Sequence, residues 1–136
     1  MKLTSKERGA LRLMADVAMF GDKRLVSLKD VATRQAVSVK YLEQIAPYLL
    51  RAGLLRSVRG IKGGYTLVKP PEHYSTGEIL RAVAVPVKQK NDLTDAFSSG
   101  LLTAAYAYAD SVSLRDIIRA QMYDNKRRNQ AAYLLD

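Results

Sequence analysis

The chain contains two short, capped helical segments followed by two β-prone runs around a basic, glycine-rich loop. Residues 27–30, Ser-Leu-Lys-Asp, have the form of a capping box with Asp in place of Glu or Gln. Ser38 caps the other short helix, the third helix of the chain, which ends at Gly53. The runs 54–58 and 65–68 then predict a β-hairpin. A helix-turn-helix followed by a basic hairpin predicts a winged helix-turn-helix, in a fold that is mainly α with a small β-hairpin wing.

Further helices are predicted on both sides of this unit. Thr4 caps a first helix that ends at Gly21, and Ser75 and Glu78 form a second capping box. A longer, almost uncharged helix is predicted from Leu93 to Val112, and another begins after it. The apolar residues of the long helix recur every three or four positions: Leu93, Phe97, Leu101, Ala105, Tyr108 and Val112. Such a face needs to be buried, so we expect this helix to pack beside the first helix and to form a homodimer interface.

The positive charge of the chain is concentrated in its N-terminal half. The formal net charge is +9. Residues 1–75 hold fourteen Lys and Arg against six Asp and Glu, a net charge of +8, while residues 76–136 hold eight against seven. This split favours a polyanion-binding module over residues 1–85, joined to dimerisation or effector helices and a C-terminal tail over residues 86–136. The alternative is a chain that is basic without any such function.

The composition excludes several classes of site. There is no cysteine, which excludes disulfides, thiol nucleophiles and thiolate metal sites. His73 is the only histidine, so a multi-histidine metal site is excluded as well. We therefore predict no metal site and no enzyme. The longest uncharged run, residues 96–109, is too short to cross a bilayer, and no signal sequence is evident, so we expect a cytoplasmic protein without membrane contact.

The sequence resembles the Rrf2 family of bacterial transcription regulators, which contains the iron–sulfur cluster regulator and the cysteine metabolism repressor. The similarity follows the predicted elements in order without a gap, through about residue 85, and is thin beyond residue 87. The matching strings are KLTSKERGALR at 2–12, VSLKDVA at 26–32, SVKYLEQI at 38–45, AGLLRSVRGIKGGYTL at 52–67 and PPEHYSTGEILRAV at 70–83. The string at 52–67, which corresponds to the family's wing, is the most specific. The resemblance implies a dimeric winged-helix repressor or activator.

Many family members carry three cysteines between the wing domain and the long helix, often as ligands of an iron–sulfur cluster. The corresponding stretch here, residues 88–104, has none. We therefore expect no cofactor, since this chain cannot hold a thiolate-ligated cluster. Membership of a cluster-free branch is favoured over replacement of the cysteines, because Asp92 stands where replacement would leave Ala or Ser.

The predicted DNA-binding residues fall on three elements. On the third helix, Gln44 can pair with an adenine edge and Glu43 can accept a hydrogen bond from cytosine. The remaining residues of this face, predicted to contact phosphates, are Ser38, Lys40 and Tyr41. The wing contributes Arg59, Gly60, Lys62, Gly63 and Gly64, which can approach the minor groove. At the N-terminus, Lys2 and Thr4 could hold a phosphate. The alternative for each set is an ordinary solvated surface.

These features predict a sequence-specific DNA-binding transcription regulator, favoured as a repressor, that binds a palindromic operator in double-stranded DNA as a homodimer. The alternative is a winged-helix protein-interaction module whose DNA binding is weak or lost. The basic wing and the charge of the N-terminal half favour the first. The small-molecule or protein effector is unknown.

Overall fold

The computed structural model describes residues 2–86, 88 and 90–135, with side chains as far as residue 131. Six α-helices and one antiparallel hairpin occur in this part of the chain, which confirms the predicted fold class. In chain order they are α1 (Ser5–Phe20), α2 (Leu28–Gln35), α3 (Val39–Arg51), β1 (Leu55–Val58), β2 (Gly64–Leu67), α4 (Thr76–Val83), α5 (Asp95–Asp110) and α6 (Leu114–Leu135), with a short 3₁₀ turn at Pro71–His73 before α4.

Local capping bonds begin the helices of the helix-turn-helix. The Ser27 hydroxyl accepts a hydrogen bond from the Asp30 amide at 3.1 Å, and the Ser38 hydroxyl accepts one from the Tyr41 amide at 3.0 Å. Between α2 and α3 the chain turns through Ala36, which has a left-handed backbone with φ 54°. The three N-terminal helices bury a common apolar core that includes Leu13 of α1 and Leu42 of α3.

The base of the wing has three backbone segments. β1 pairs with β2 so that Leu55 lies opposite Leu67 and Val58 opposite Gly64. On the other side of β2, the amide of Val26 donates to the Tyr65 carbonyl at 3.0 Å, and the Tyr65 amide donates back at 2.8 Å. A Cβ on Gly64 would lie 2.7 Å from the Val26 carbonyl oxygen, so only glycine permits this approach. The wing is thereby held to the segment that precedes α2.

A buried ion pair holds α2 against α1. The Asp16 carboxylate is fully buried and accepts hydrogen bonds from Arg34 Nε at 3.0 Å and Arg34 Nη2 at 2.8 Å. Gln35 Nε2 donates to the same carboxylate at 3.1 Å, and Arg12 of α1 donates to the Gln35 carbonyl. The hydrogen bond to Asp16 raises the pKa of Arg34. These bonds fix the end of α2 immediately before the turn into α3.

The long helix is shorter than predicted at both ends. It begins at Asp95, not Leu93, because the Asp92 carboxylate accepts from the Thr94 amide at 2.7 Å and forms a turn there. It ends at Asp110, so the prediction that Val112 belongs to it is wrong. The Val112 carbonyl instead accepts from the Thr76 amide at 2.7 Å, beside the start of α4.

The packing of the C-terminal helices also differs from the prediction. α5 packs against α4, and it is α6 that packs against α1. Leu114, at the start of α6, is fully buried in the core with Tyr74, and its amide donates to the Tyr74 carbonyl at 2.9 Å. The core of the predicted N-terminal domain therefore includes a residue from beyond position 85, and the boundary at 85/86 stays a prediction. Among the described helices, none has the length and apolar character that a membrane span requires.

Candidate nucleic-acid interface

One face of α3 is buried and the opposite face is exposed. Its buried residues are Leu42, Ile45, Ala46 and Leu49. Lys40, Glu43 and Gln44 are exposed and stand at positions i, i+3 and i+4, so they share one strip of the helix surface. The structure thus brings together one cation, one carboxylate and one amide on the second helix of the helix-turn-helix. This strip carries the hydrogen-bonding groups that can read base edges in a major groove.

Tyr41, predicted to contact phosphate, joins α3 to the start of α1. Its side chain is half-buried, its hydroxyl donates to the Ser5 carbonyl, and Ser5 Oγ lies 3.1 Å from that hydroxyl. Gly9 lies directly beneath, where a Cβ would come within 2.6 Å of the Tyr41 hydroxyl oxygen. Tyr41 therefore fixes the position of α3 against α1, and a phosphate contact from it stays a prediction.

A groove of about 530 Å³ lies between α1 and the N-terminus of α3. Its lining residues are Ser5, Arg8, Arg12, Val37, Ser38 and Tyr41. Arg8 and Arg12 are exposed and one helical turn apart, so both guanidinium groups are on the same side of α1. Sequence reasoning did not assign these two residues. Their i, i+4 spacing indicates that the two arginines share one side of α1. Their proximity to Ser38 could not be predicted in this way, because it depends on how α1 crosses α3.

The two N-terminal residues of the prediction occupy different environments. Thr4 is part of a complete capping box: its hydroxyl accepts from the Glu7 amide at 3.1 Å, and the Glu7 carboxylate accepts from the Thr4 amide at 2.8 Å. Lys2 is exposed. Nearby, Lys6 Nζ donates to the Tyr48 hydroxyl at 3.1 Å, which lowers the pKa of Tyr48. The Thr4 hydroxyl is thus engaged in starting α1, and phosphate contacts from Lys2 and Thr4 stay predictions.

The wing ends in a four-residue turn. The Gly63 amide donates to the Gly60 carbonyl at 2.9 Å, which places Ile61 and Lys62 at the two central positions. Gly60 has φ 119°, a backbone conformation that residues with a side chain rarely adopt. Arg59 and Lys62 are both exposed. The tip therefore presents two cations on a hairpin whose base is fixed to the rest of the fold.

α5 exposes a largely apolar surface in the single chain. Phe97 is 74% exposed and Tyr108 is 73% exposed, while Leu101 is less so and Ala105 is half-buried. Leu102, which was not predicted, is exposed to a similar extent as Leu101. At the other side of the helix, Arg81 of α4 forms a bidentate pair with Asp110 at 2.6 and 2.8 Å. α5 is therefore held to α4, while its apolar side chains remain exposed in the single chain.

Comparison with known proteins identifies the family. The model of the Rrf2 family, described as iron-dependent transcriptional regulators, matches residues 3–120. The chain belongs to the Rrf2 family. It is 35% identical to the HTH-type transcriptional regulator IscR of Cereibacter sphaeroides, with 90% of each chain covered. Among solved structures, it is similar to IscR of T. potens (TM-score 0.76, 32% identity, covering 89% of this chain and 88% of the other). It is also similar to CymR, the global cysteine regulator of B. subtilis (TM-score 0.72, 29% identity, covering 88% and 98%).

Some Rrf2 relatives are matched over only part of their length. Protein rrf2 of Nitratidesulfovibrio vulgaris is 42% identical over 83 residues, which are 61% of this chain and 55% of that protein. The chain thus matches about half the length of several curated relatives. That segment is long enough to contain the helix-turn-helix and the wing.

The family is described as iron-dependent, but the side chains of this chain do not fit an iron cofactor that is ligated by cysteines. The sequence contains no cysteine. Across residues 2–86, 88 and 90–135, no three His, Asp or Glu side chains come together in a way that could hold a metal ion. The absence of a cofactor stays a prediction.

Proposed function

We propose that this Rrf2 family member is a sequence-specific, DNA-binding transcription regulator that acts as a repressor. The main support for this function is an exposed strip on the second helix of a helix-turn-helix that is followed by a basic wing. The strip consists of Lys40, Glu43 and Gln44. In this proposal α3 lies in the major groove, where Gln44 pairs with an adenine edge and Glu43 accepts from cytosine N4. Relatives that are named as transcription regulators, such as IscR of Cereibacter sphaeroides, support the same function. We propose no catalytic activity.

Phosphate contacts orient α3 in this proposal. The groove between α1 and α3 combines the amide groups at the N-terminus of α3 with the exposed Arg8 and with Arg12, whose guanidinium also donates to the Gln35 carbonyl. A DNA phosphate in this groove meets positive charge from both sources, since a helix N-terminus carries a partial positive charge. Ser38 lines the same groove and can donate its hydroxyl proton to that phosphate. Lys62 and Arg59 contact the backbone or the minor groove from the wing.

A homodimer completes the proposed binding unit. The exposed apolar surface of α5, which includes Phe97, Leu101 and Tyr108, is the proposed contact between two copies. Two-fold symmetry presents two α3 helices to the same face of a duplex, so the operator is an imperfect palindrome. The exposed surface of α5 also favours the second candidate function, a winged-helix module whose main partner is another protein.

Salt dependence of binding tests the proposal against that second candidate. The probe is a duplex selected by the protein from a random-sequence pool, and fluorescence anisotropy gives its Kd from 50 to 300 mM salt. Log affinity should fall linearly with log salt, with a slope of about −0.9 per phosphate contacted. Arg8→Ala should reduce the magnitude of this slope by about 0.9 per protomer, about 1.8 for a dimer, since each protomer loses one phosphate contact. Arg119→Ala on the exposed part of α6 is the matched control and should leave the slope unchanged.

Selection of no preferred sequence, or equal affinity for single strands, contradicts the proposal and favours the protein-interaction module. An equal reduction of the slope by Arg8→Ala and Arg119→Ala contradicts only the assignment of the groove, because it shows that any surface cation has the same effect.

A further inference from the structure

We propose that Ile61 is an apolar contact residue that the wing inserts into the DNA minor groove. Ile61 is 107% exposed, the most exposed of the large apolar residues described. It stands at a central position of the turn closed by the Gly63 amide and the Gly60 carbonyl, 2.9 Å apart. This inference rests on the proposed DNA-binding function and assigns to one residue a role that the charge of the wing does not explain.

The geometry of the tip directs Ile61 away from the protein. The two ends of the turn, Gly60 and Gly63, have no side chains that could cover it, and Lys62 beside it is charged and exposed. The base of the wing is fixed by β1 and by the two hydrogen bonds between Val26 and Tyr65. A fixed base with a bare, narrow tip suits insertion between two sugar–phosphate backbones.

The charges around Ile61 favour DNA as the occupant over a hydrophobic protein surface. Its neighbours are Arg59, two residues before it, and Lys62, directly after it, and both are exposed. These cations can contact the phosphates that line both edges of a minor groove, while the apolar side chain enters between them. Apolar side chains such as Ile are used in this way by proteins that bind the minor groove, where they contact sugars and base edges.

Ile61→Ser removes the apolar contact without changing any charge. Ile61 is in solvent in the free protein, so the midpoint of thermal unfolding should not change. Affinity for the selected duplex should fall about five- to tenfold for each wing that inserts, and so about 25- to 100-fold for a dimer, as expected if roughly half of each side chain is removed from water on binding. The salt slope should stay at the wild-type value, whereas Lys62→Ala should reduce it. Met122→Ser, at an exposed apolar residue on α6, is the control and should leave both quantities unchanged.

Base substitution under the wing locates the contact in the minor groove. Footprinting identifies the base pairs whose minor groove is protected, and these pairs are changed to G·C or to inosine·C. Guanine places an amino group in the minor groove and inosine does not. Wild-type protein should therefore bind the inosine duplex more tightly than the G·C duplex, and Ile61→Ser should reduce this ratio severalfold.

The outcomes separate failure of this inference from failure of the proposed function. If wild type and Met122→Ser both lack salt-dependent duplex binding, the DNA-binding function itself is refuted. If wild type binds DNA and Ile61→Ser binds with equal affinity, only the role of Ile61 is refuted. If Ile61→Ser binds more weakly but keeps the full inosine-to-guanine ratio, Ile61 does not lie in the minor groove and the inference is also refuted.

Discussion

Replacement of Asp16 by Asn tests whether the buried ion pair holds the helix-turn-helix together. The carboxylate is fully buried and accepts hydrogen bonds from Arg34 Nε, Arg34 Nη2 and Gln35 Nε2, each with its shortest distance between 2.8 and 3.1 Å. Asn has nearly the same size but leaves the guanidinium without a counter-charge. Arg34 keeps 28% of its side chain exposed, so water partly compensates. We therefore expect a loss of about 3 kcal/mol in the free energy of unfolding, the lower end of the range for breaking a buried pair.

Asp110→Asn is the matched control, because it breaks a pair of the same geometry in a different environment. Asp110 accepts two hydrogen bonds from Arg81 at 2.6 and 2.8 Å, and both side chains are about half exposed. Exposed pairs contribute little, because water and salt screen them. This variant should unfold almost like the wild type.

Urea unfolding followed by circular dichroism measures both variants, at one fixed protomer concentration so that oligomerisation does not alter the comparison. Asp16→Asn should also lower Tm by about 10 °C, given roughly 3–4 °C per kcal/mol for a chain of this size. Equal losses for the two variants would refute the reasoning, since burial would then not determine the contribution of the pair. A loss confined to operator affinity, with unchanged unfolding, would contradict it as well.

Three other substitutions address the proposed recognition, the proposed dimer and the turn. Gln44→Ala should relax base preference at one operator position by about 1–3 kcal/mol, measured by competition between singly substituted duplexes; an equal loss for all sequences makes Gln44 a positioning residue. Leu101→Asp should yield folded monomers in analytical ultracentrifugation, and their affinity for the operator should be strongly reduced. A folded dimer would place the interface elsewhere. Ala36→Gly should raise the free energy of unfolding by about 0.5 kcal/mol, because it relieves a left-handed backbone at φ 54°; a decrease in urea unfolding contradicts this.

Local signals were sufficient to predict the helix-turn-helix and the wing. Ser38 and Ser75 cap their helices as predicted, because a capping bond involves residues only three positions apart. Ser27 accepts from the Asp30 amide as expected, but the Asp30 side chain does not return the second bond of the predicted capping box. The glycine-flanked turn of the wing is equally local, since Gly60 and Gly63 close it with one hydrogen bond. Elements specified by bonds of this range are visible in a single sequence.

Interactions between distant residues account for what the sequence analysis missed. Val112 continues the apolar spacing of α5, but the helix ends before it because the Thr76 amide, 36 positions earlier in the chain, takes its carbonyl. Asp16 interrupts an apolar face of α1, and no local pattern indicates that Arg34 neutralises it. Arg8 becomes part of a candidate phosphate groove only because α1 crosses α3 at Gly9. Each of these outcomes depends on packing between elements that periodicity along one element does not describe.

The junction of α4, α5 and α6 determines how the proposed dimer would present its two recognition helices. The end of α5 is tied to α4 by Asp110 and Arg81, and the following residues are tied to the start of α4 through Val112 and Thr76. α6 then enters the same core as α1 through Leu114. The exposed apolar surface of α5 is therefore joined to the winged helix-turn-helix by packed helices and backbone hydrogen bonds, not by a free linker. In a dimer built on that surface, the separation of the two α3 helices follows from this junction, so the spacing of operator half-sites is a property of the fold.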